Sequence, residues 1–134
     1  MSQENVETFK LVIEANNRRD YEAVLEECDP EIEWHAIFGM MFGGEATVVR
    51  GHEAVLEHFR ELDEGFAVRN VQCSEFRDLG ERVVALGHVR AEGRESRVAL
   101  DSPWAGVADF RGGKVCGFRD YLDHDEALEA AGLS

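Results

Sequence analysis

The stretch WAGVADFRGGKVCGFRDYL, residues 104–122, contains two apolar segments on either side of the pair Gly112-Gly113. A two-residue turn between antiparallel strands requires positive φ at both turn positions, and glycine adopts that conformation without a steric penalty. The pattern therefore predicts a tight β-hairpin, with one strand over residues 97–110 and the next over residues 115–122.

Two further strand-like segments precede this hairpin, over residues 66–79 and 82–91, and turn residues separate them. Strands joined by short turns pair antiparallel, so the second half of the chain is expected to form an antiparallel meander. A strand is also predicted over residues 31–38, followed by an apolar, glycine-rich loop over residues 39–44 that could cover a cavity.

The first half of the chain shows apolar residues at helical spacing. This spacing predicts three main helices, over residues 3–18, 20–28 with Asp20 as the cap, and 51–65. A short C-terminal helix is predicted from an Asp123 or Asp125 cap to Ala131. Helices followed by a strand meander are typical of an α+β domain whose helices cover one face of a curved antiparallel sheet. We expect residues 1–134 to form one such domain.

The composition excludes several classes of partner. The 134 residues include 28 Asp and Glu against 14 Lys and Arg, a net charge of −14, which repels nucleic acid and anionic membranes. The N-terminal residues lack a signal-peptide pattern, so we expect a cytoplasmic protein. Three cysteines without C-x-x-C spacing indicate reduced thiols, and metal-ligand and nucleotide-binding motifs are absent, so we expect neither a metal nor a cofactor.

The run Trp104 to Ala108 is apolar on both faces of its predicted strand, although only one face can meet the chain's own helices. A homodimer through the open sheet face is the simplest way to bury the other face, because soluble monomers seldom expose contiguous apolar patches. The alternative is a mildly apolar face that stays in contact with water.

Five motifs spread over nearly the whole chain resemble the SnoaL-like branch of the nuclear transport factor 2 superfamily. They lie at residues 17–23, 29–34, 50–55, 113–115 and 119–123. The resemblance implies a cone-shaped roll of three main N-terminal helices on a strongly curved antiparallel sheet. It implies no particular reaction, because this scaffold carries ketosteroid isomerases, polyketide cyclases, scytalone dehydratase, limonene epoxide hydrolase and non-catalytic modules.

The resemblance also suggests site residues. His35 is at the position where ketosteroid isomerases carry their catalytic aspartate, whereas their oxyanion pair corresponds to Val12 and Gly106, which cannot donate a side-chain hydrogen bond. Steroid isomerisation is therefore not expected. Asp120 matches the second aspartate of limonene epoxide hydrolases, while the segment His88-Val89-Arg90 lacks the acid of their first pair.

His35, Asp120 and His88 are thus the predicted catalytic residues. The structural alternatives remain open: Asp120 can pair with a neighbouring cation, His88 can be a hydrogen-bonded core residue, and His35 points away from Trp34 in a regular strand unless a bulge intervenes. The predicted ligand-binding residues are the aromatic side chains Trp34, Phe38, Phe59, Trp104 and Phe118.

The predicted function is cofactor-independent acid–base catalysis on a small, mostly apolar organic molecule, of the isomerase, cyclase, dehydratase or hydrolase type. The alternative is a non-catalytic, dimeric domain that binds a small molecule or acts as an accessory protein. A histidine and an aspartate that converge on an open pocket would favour the enzyme.

Overall fold

The computed structural model describes residues 2–36 and 47–133. Within these ranges the elements follow in the order α1 (Ser2–Asn17), α2 (Tyr21–Glu26), β1 (Cys28–Ala36), β2 (Thr47–Arg50), α3 (Gly51–Gly65), β3 (Phe66–Asp78), β4 (Arg82–Gly93), β5 (Ala99–Arg111), β6 (Lys114–Tyr121) and α4 (His124–Ala130). The helices pack on a six-stranded, curved and unclosed sheet, so the predicted α+β architecture is confirmed.

The strands lie in the order β2-β1-β6-β5-β4-β3. Strands β3 to β6 form the predicted antiparallel meander. The exception to the antiparallel pattern is the pair β1 and β6, which runs parallel and places Trp34 beside Phe118. This pairing brings the first strand and the last strand together at one part of the sheet.

The glycine hairpin forms as predicted. Gly112 and Gly113 have φ values of 60° and 80°, and Arg111 pairs with Lys114 across the turn. The alternation of faces along β6 is interrupted near its start, because the β5–β6 register shifts between Asp109 and Phe110. This shift decides which β6 side chains reach the core.

The second helix is shorter than predicted. It ends at Glu26 instead of continuing to Cys28, which already belongs to β1. The backbone N–H of Val115 donates to the carbonyl oxygen of Glu27 at 2.9 Å, so pairing with β6 competes with the last helical turn. The Asp20 cap is as expected, since its carboxylate accepts from the N–H of Ala23 at 3.2 Å.

The pairing of β3 with β4 is irregular near its middle. The register shifts between Cys73 and Glu75, opposite Gly87. A side chain at Gly87 would overlap the carbonyl oxygen of Gln72 and would lie 2.7 Å from the Cα of Cys73. The absence of a Cβ therefore permits the close approach of the two backbones.

The main core lies between the helices and the inner face of the sheet. A second, smaller cluster lies on the outer face, where α4 covers it. Ala127 of α4 packs there against four buried residues of β4 and β5, namely Val84, Leu86, Ala105 and Val107. The premise that only one sheet face meets the chain's own helices is therefore wrong, and the homodimer stays a prediction without that support.

No helix in the described part of the chain is long and apolar enough to cross a membrane.

Candidate functional site

A pocket of about 50 Å³ lies between the helices and the inner face of the sheet. We call it the helix-side pocket. This volume accommodates a few water molecules or one end of a small organic molecule. Its walls are mainly apolar and include the side chains of Phe9, Val12, Trp34, Phe59, Trp104 and Phe118.

Aromatic rings form one wall of this pocket. The rings of Trp34 and Phe118 stack with centroids 4.2 Å apart, which follows from the parallel pairing of their strands. The rings of Phe59 and Trp34 are nearly perpendicular, with centroids 5.1 Å apart, and the ring centroids of Trp104 and Phe118 are 6.4 Å apart. The predicted aromatic residues Trp34, Phe59, Trp104 and Phe118 all line the pocket, and their binding of a ligand stays a prediction. Phe38 and the loop over residues 39–44 lie outside the described residues.

Asp120 provides a carboxyl group to the helix-side pocket. It lies two residues after Phe118 on β6, on the same face, and only 4% of its surface is exposed. Uninterrupted alternation along β6 would also put Cys116 on this face, but the register shift places Val115 in the core, and Cys116 lines a depression on the outer face. A buried carboxyl group beside aromatic rings is the principal chemical feature of the pocket.

His58 of α3 also lines the pocket, although it is not among the predicted site residues. Burial, assisted by the positive charge of Arg69, lowers the pKa of the His58 imidazole to about 4. The ring is therefore neutral near pH 7. A signal was present in the sequence, since His58 falls at helical spacing with Val55 and Leu62, both of which are buried.

Arg69 of β3 also lines the pocket, and sequence reasoning missed it as well. Its guanidinium is buried and donates to Asn16 Oδ1 and Tyr21 Oη, both at 2.8 Å, and to Asp63 Oδ1 at 3.3 Å. The Tyr21 hydroxyl donates to Asp63 Oδ2 at 2.6 Å. Burial and this hydrogen bond raise the pKa of Tyr21 to about 12, so the phenol stays protonated.

Three buried nitrogen atoms around the helix-side pocket lack a hydrogen-bond partner within the described ranges. They are His58 Nε2, Arg69 Nε and Trp104 Nε1. Such groups are rare in folded proteins, because a buried unsatisfied donor or acceptor costs about 1–3 kcal/mol. Their occurrence around one pocket indicates a place where a bound molecule can complete the hydrogen bonding.

His35 lies elsewhere. Its Nε2 is 2.6 Å from Glu33 Oε1, and Glu33 Oε2 is 2.9 Å from Arg50 Nη2. The hydrogen bond from His35, followed by the charge of Arg50, lowers the pKa of Glu33. His35 lines the outer depression with Cys116, whereas its neighbour Trp34 lines the helix-side pocket, as alternation in β1 requires.

His88 is also on the outer face. It is 61% exposed and its Nε2 lies 3.1 Å from Asp101 Oδ1. It lies on the same face of β4 as Val84 and Leu86, and these two residues pack beneath α4 and not in the main core. Of the three predicted catalytic residues, the structure therefore places Asp120 in the helix-side pocket and does not bring His35 or His88 to it. A catalytic role of these histidines stays a prediction.

Within residues 2–36 and 47–133, no group of three or more His, Cys, Asp or Glu side chains is arranged to hold a metal ion.

The comparison with known families agrees with this architecture. Residues 10–118 match the family described as the SnoaL-like domain, and the chain belongs to that family. The resemblance inferred from the sequence motifs is thus confirmed. No curated protein matches the sequence.

Solved structures share the fold over nearly the whole chain. A nuclear transport factor 2-like protein of unknown function from Burkholderia pseudomallei has 28% sequence identity and a TM-score of 0.80, covering 94% of this chain and 95% of that chain. TerC, co-crystallised with polyporic acid, has 22% identity and a TM-score of 0.78, covering 94% and 98%. A protein with a ketosteroid isomerase-like fold from Catenulispora acidiphila, in complex with trimethylamine, has 15% identity and a TM-score of 0.75, covering 96% and 94%. At the last two identities the likeness shows the fold alone.

Proposed function

We propose that this protein is a cofactor-independent acid–base enzyme that moves a proton on a small, mostly apolar molecule held in the helix-side pocket. The observation that carries the proposal is the buried carboxyl group of Asp120, which shares an apolar pocket with a neutral histidine and unpartnered nitrogen atoms. Two carbon-rich ring systems, Trp34 and Phe118, offer apolar surface to such a molecule.

Asp120 is the proposed proton carrier. Its carboxylate accepts a proton from a carbon atom next to a carbonyl group, and the electron pair of the broken C–H bond moves onto the carbonyl oxygen. The resulting enolate oxygen is stabilised by N–H donors in the pocket wall. Asp120 then returns the proton to carbon. This step is common to isomerases, cyclases and many dehydratases, so it does not depend on which of these reactions the enzyme completes.

His58 has a different role in this proposal. With a pKa of about 4, its imidazole is neutral near pH 7 and holds its proton on one nitrogen only. It can therefore form a hydrogen bond to the ligand without adding a charge that would compete with the reacting carboxylate. The nearby Arg69 supplies positive charge instead, held in place by Asn16, Tyr21 and Asp63.

The proposal is tested without knowledge of the natural substrate, by deuterium exchange at the methyl carbon of acetophenone in D2O, followed by proton NMR. We expect the wild-type protein to exchange this position faster than buffer alone. The Asp120→Asn variant preserves the size of the side chain and is expected to reduce the protein-dependent rate at least about 100-fold, the usual scale for a general base. Asp101→Asn, a matched change at a 71% exposed aspartate, is expected to leave the rate unchanged.

Equal rates for the wild type and Asp120→Asn would contradict the proposal. His35→Gln adds a separate comparison. If the exchange rate depends on His35 and not on Asp120, the catalytic residue lies in the outer depression. Absence of protein-dependent exchange for acetophenone and a panel of small ketones that bind would favour the alternative, a non-catalytic domain that binds small molecules.

A further inference from the structure

We propose that the indole N–H of Trp104 donates a hydrogen bond to an oxygen atom of the ligand, and that Gly106 is the residue that keeps the indole in position to do so. The proposal rests on the helix-side pocket being the functional site and adds the chemical class of the ligand. That ligand is a molecule with a carbonyl-type oxygen on an otherwise apolar body.

The position of the indole ring depends on Gly106. The two residues lie two positions apart on β5, so both face the pocket side of the sheet. A Cβ atom at Gly106 would lie 2.6 Å from Cη2 and 2.9 Å from Cζ2 of Trp104, and 3.0 Å from Cε1 of Phe118. The ring therefore occupies the space that any larger residue at this position would fill.

Other contacts hold the same residue from two sides. The ring of Phe118 is nearly parallel to the indole, with an interplanar angle of 24°. The backbone carbonyl oxygen of Trp104 lies 3.1 Å from Nε2 of His124, which is also 2.9 Å from the carbonyl oxygen of Gly87. The side chain and the backbone of Trp104 are thus fixed by the protein before any ligand binds.

The indole nitrogen nevertheless has no hydrogen-bond partner in the part of the chain that the structure describes. An indole N–H is a donor only, and buried tryptophans usually find an acceptor for it. Only 3% of the surface of Trp104 is exposed, and the residue lines the helix-side pocket. A preorganised, unpaired donor in an apolar pocket favours a ligand that brings an acceptor, and an enolate or ketone oxygen is such an acceptor.

The test uses acetophenone and ethylbenzene, which differ in shape mainly by the carbonyl oxygen. In the 15N-labelled wild-type protein, the two tryptophans give two indole N–H resonances, and the Trp104→Phe variant identifies which one belongs to Trp104. We expect the Trp104 indole proton to shift downfield on addition of acetophenone and to move little with ethylbenzene.

Affinities from the same titrations give the second readout. Trp104→Phe keeps an aromatic ring and removes the N–H, so we expect it to weaken acetophenone binding about 3- to 10-fold and ethylbenzene binding less than about 2-fold. Trp34→Phe is the matched control, for which the two probes are expected to lose affinity equally. Gly106→Ala displaces the ring, so we expect it to remove the acetophenone-dependent indole shift.

The inference is overturned if acetophenone does not bind, if the wild-type indole proton does not shift, or if Trp104→Phe weakens both probes equally. The wild-type shift decides the question even where a variant folds poorly. An acetophenone-dependent shift without deuterium exchange would leave this inference standing and contradict the proposed catalysis. Exchange that requires Asp120, with an unmoved indole proton, would contradict this inference alone.

Discussion

Among single residues, Arg69 affects both the packing of the helices and the charge in the helix-side pocket. Its guanidinium connects α1, α2 and α3 to β3 through Asn16, Tyr21 and Asp63, and its positive charge helps to keep His58 neutral. The same residue therefore links the packing of the helices to the protonation state of a pocket side chain.

Replacing Arg69 by methionine is expected to destabilise the protein by at least about 2 kcal/mol, because its buried guanidinium no longer donates to Asn16, Tyr21 and Asp63. Arg19→Met is the matched control. Arg19 lies 3.4 Å from the same Asp63 with a third of its side chain exposed, so its loss is expected to cost less than about 1 kcal/mol. Urea denaturation measures both values, and equal costs would contradict the account.

His58 is expected to make stability depend on pH. Its pKa is about 4 in the folded protein and 6.5 in an unperturbed imidazole, so between these values the unfolded chain binds more protons. The contribution is fully present above about pH 6.5 and is lost as the pH falls toward 4, by about 3 kcal/mol in total. The free energy of unfolding of the wild type and of His58→Gln is measured by urea denaturation at pH 4 to 7. The variant should lack the pH-dependent contribution of His58, so the difference between the two proteins should change with pH. Parallel curves for the wild type and the variant would contradict the assigned pKa.

The sequence predicted part of this residue-level picture. Asp120 was singled out because it matches the second aspartate of limonene epoxide hydrolases, and regular strand alternation puts it on the same face as Phe118. Arg69 was missed, because its partners Asn16, Tyr21 and Asp63 lie far from it along the chain or on another element. His35 was placed in the pocket by analogy with ketosteroid isomerases. His88 shares a face of β4 with Val84 and Leu86, and these two residues belong to the cluster beneath α4 and not to the main core.

At the scale of the elements, a register shift interrupts the pairing of β3 with β4. Gly87 sits opposite the register shift at Cys73 and Glu75, where the two backbones approach closely. Local sequence patterns predicted both strands, but not this contact, because a register shift depends on how two strands meet and not on either alone.

Gly87→Ala is expected to destabilise the protein by at least about 2 kcal/mol, because its Cβ has no space beside Gln72 and Cys73. Gly65→Ala provides a matched control, since a Cβ at Gly65 meets no atom within 4 Å and is expected to change stability by less than about 0.5 kcal/mol. Thermal denaturation of both variants measures the contrast. Similar melting temperatures for the two variants would show that the close backbone approach is absent.

At the scale of the whole molecule, helix α4 covers part of the sheet face that the sequence predicted to be open. The sequence predicted an apolar outer patch around Trp104 to Ala108, and that patch exists, but Ala127 and its neighbours in α4 cover it. The hairpin at Gly112-Gly113 and the order of the elements were predictable because they depend on local chemistry. The cover by α4 was not, because a seven-residue helix carries too little pattern to specify where it packs.

Ala127→Asp is expected to detach α4 by placing a charge in this buried cluster, and so to expose the apolar patch. Increased binding of an apolar fluorescent dye and self-association in sedimentation velocity should follow. Ala130→Asp makes the same chemical change at an exposed position of the same helix and should behave as the wild type. Wild-type behaviour of Ala127→Asp would contradict the assigned role of α4.

The central claim is that small molecules act in the helix-side pocket and not on the outer face of the sheet. The most direct test is backbone and side-chain chemical-shift mapping of the wild-type protein during titration with acetophenone. We predict that the perturbed residues cluster around Trp104, Phe118, Asp120, His58 and Arg69, which line that pocket. Perturbations confined to the outer depression around Glu33, His35 and Cys116 would contradict the account.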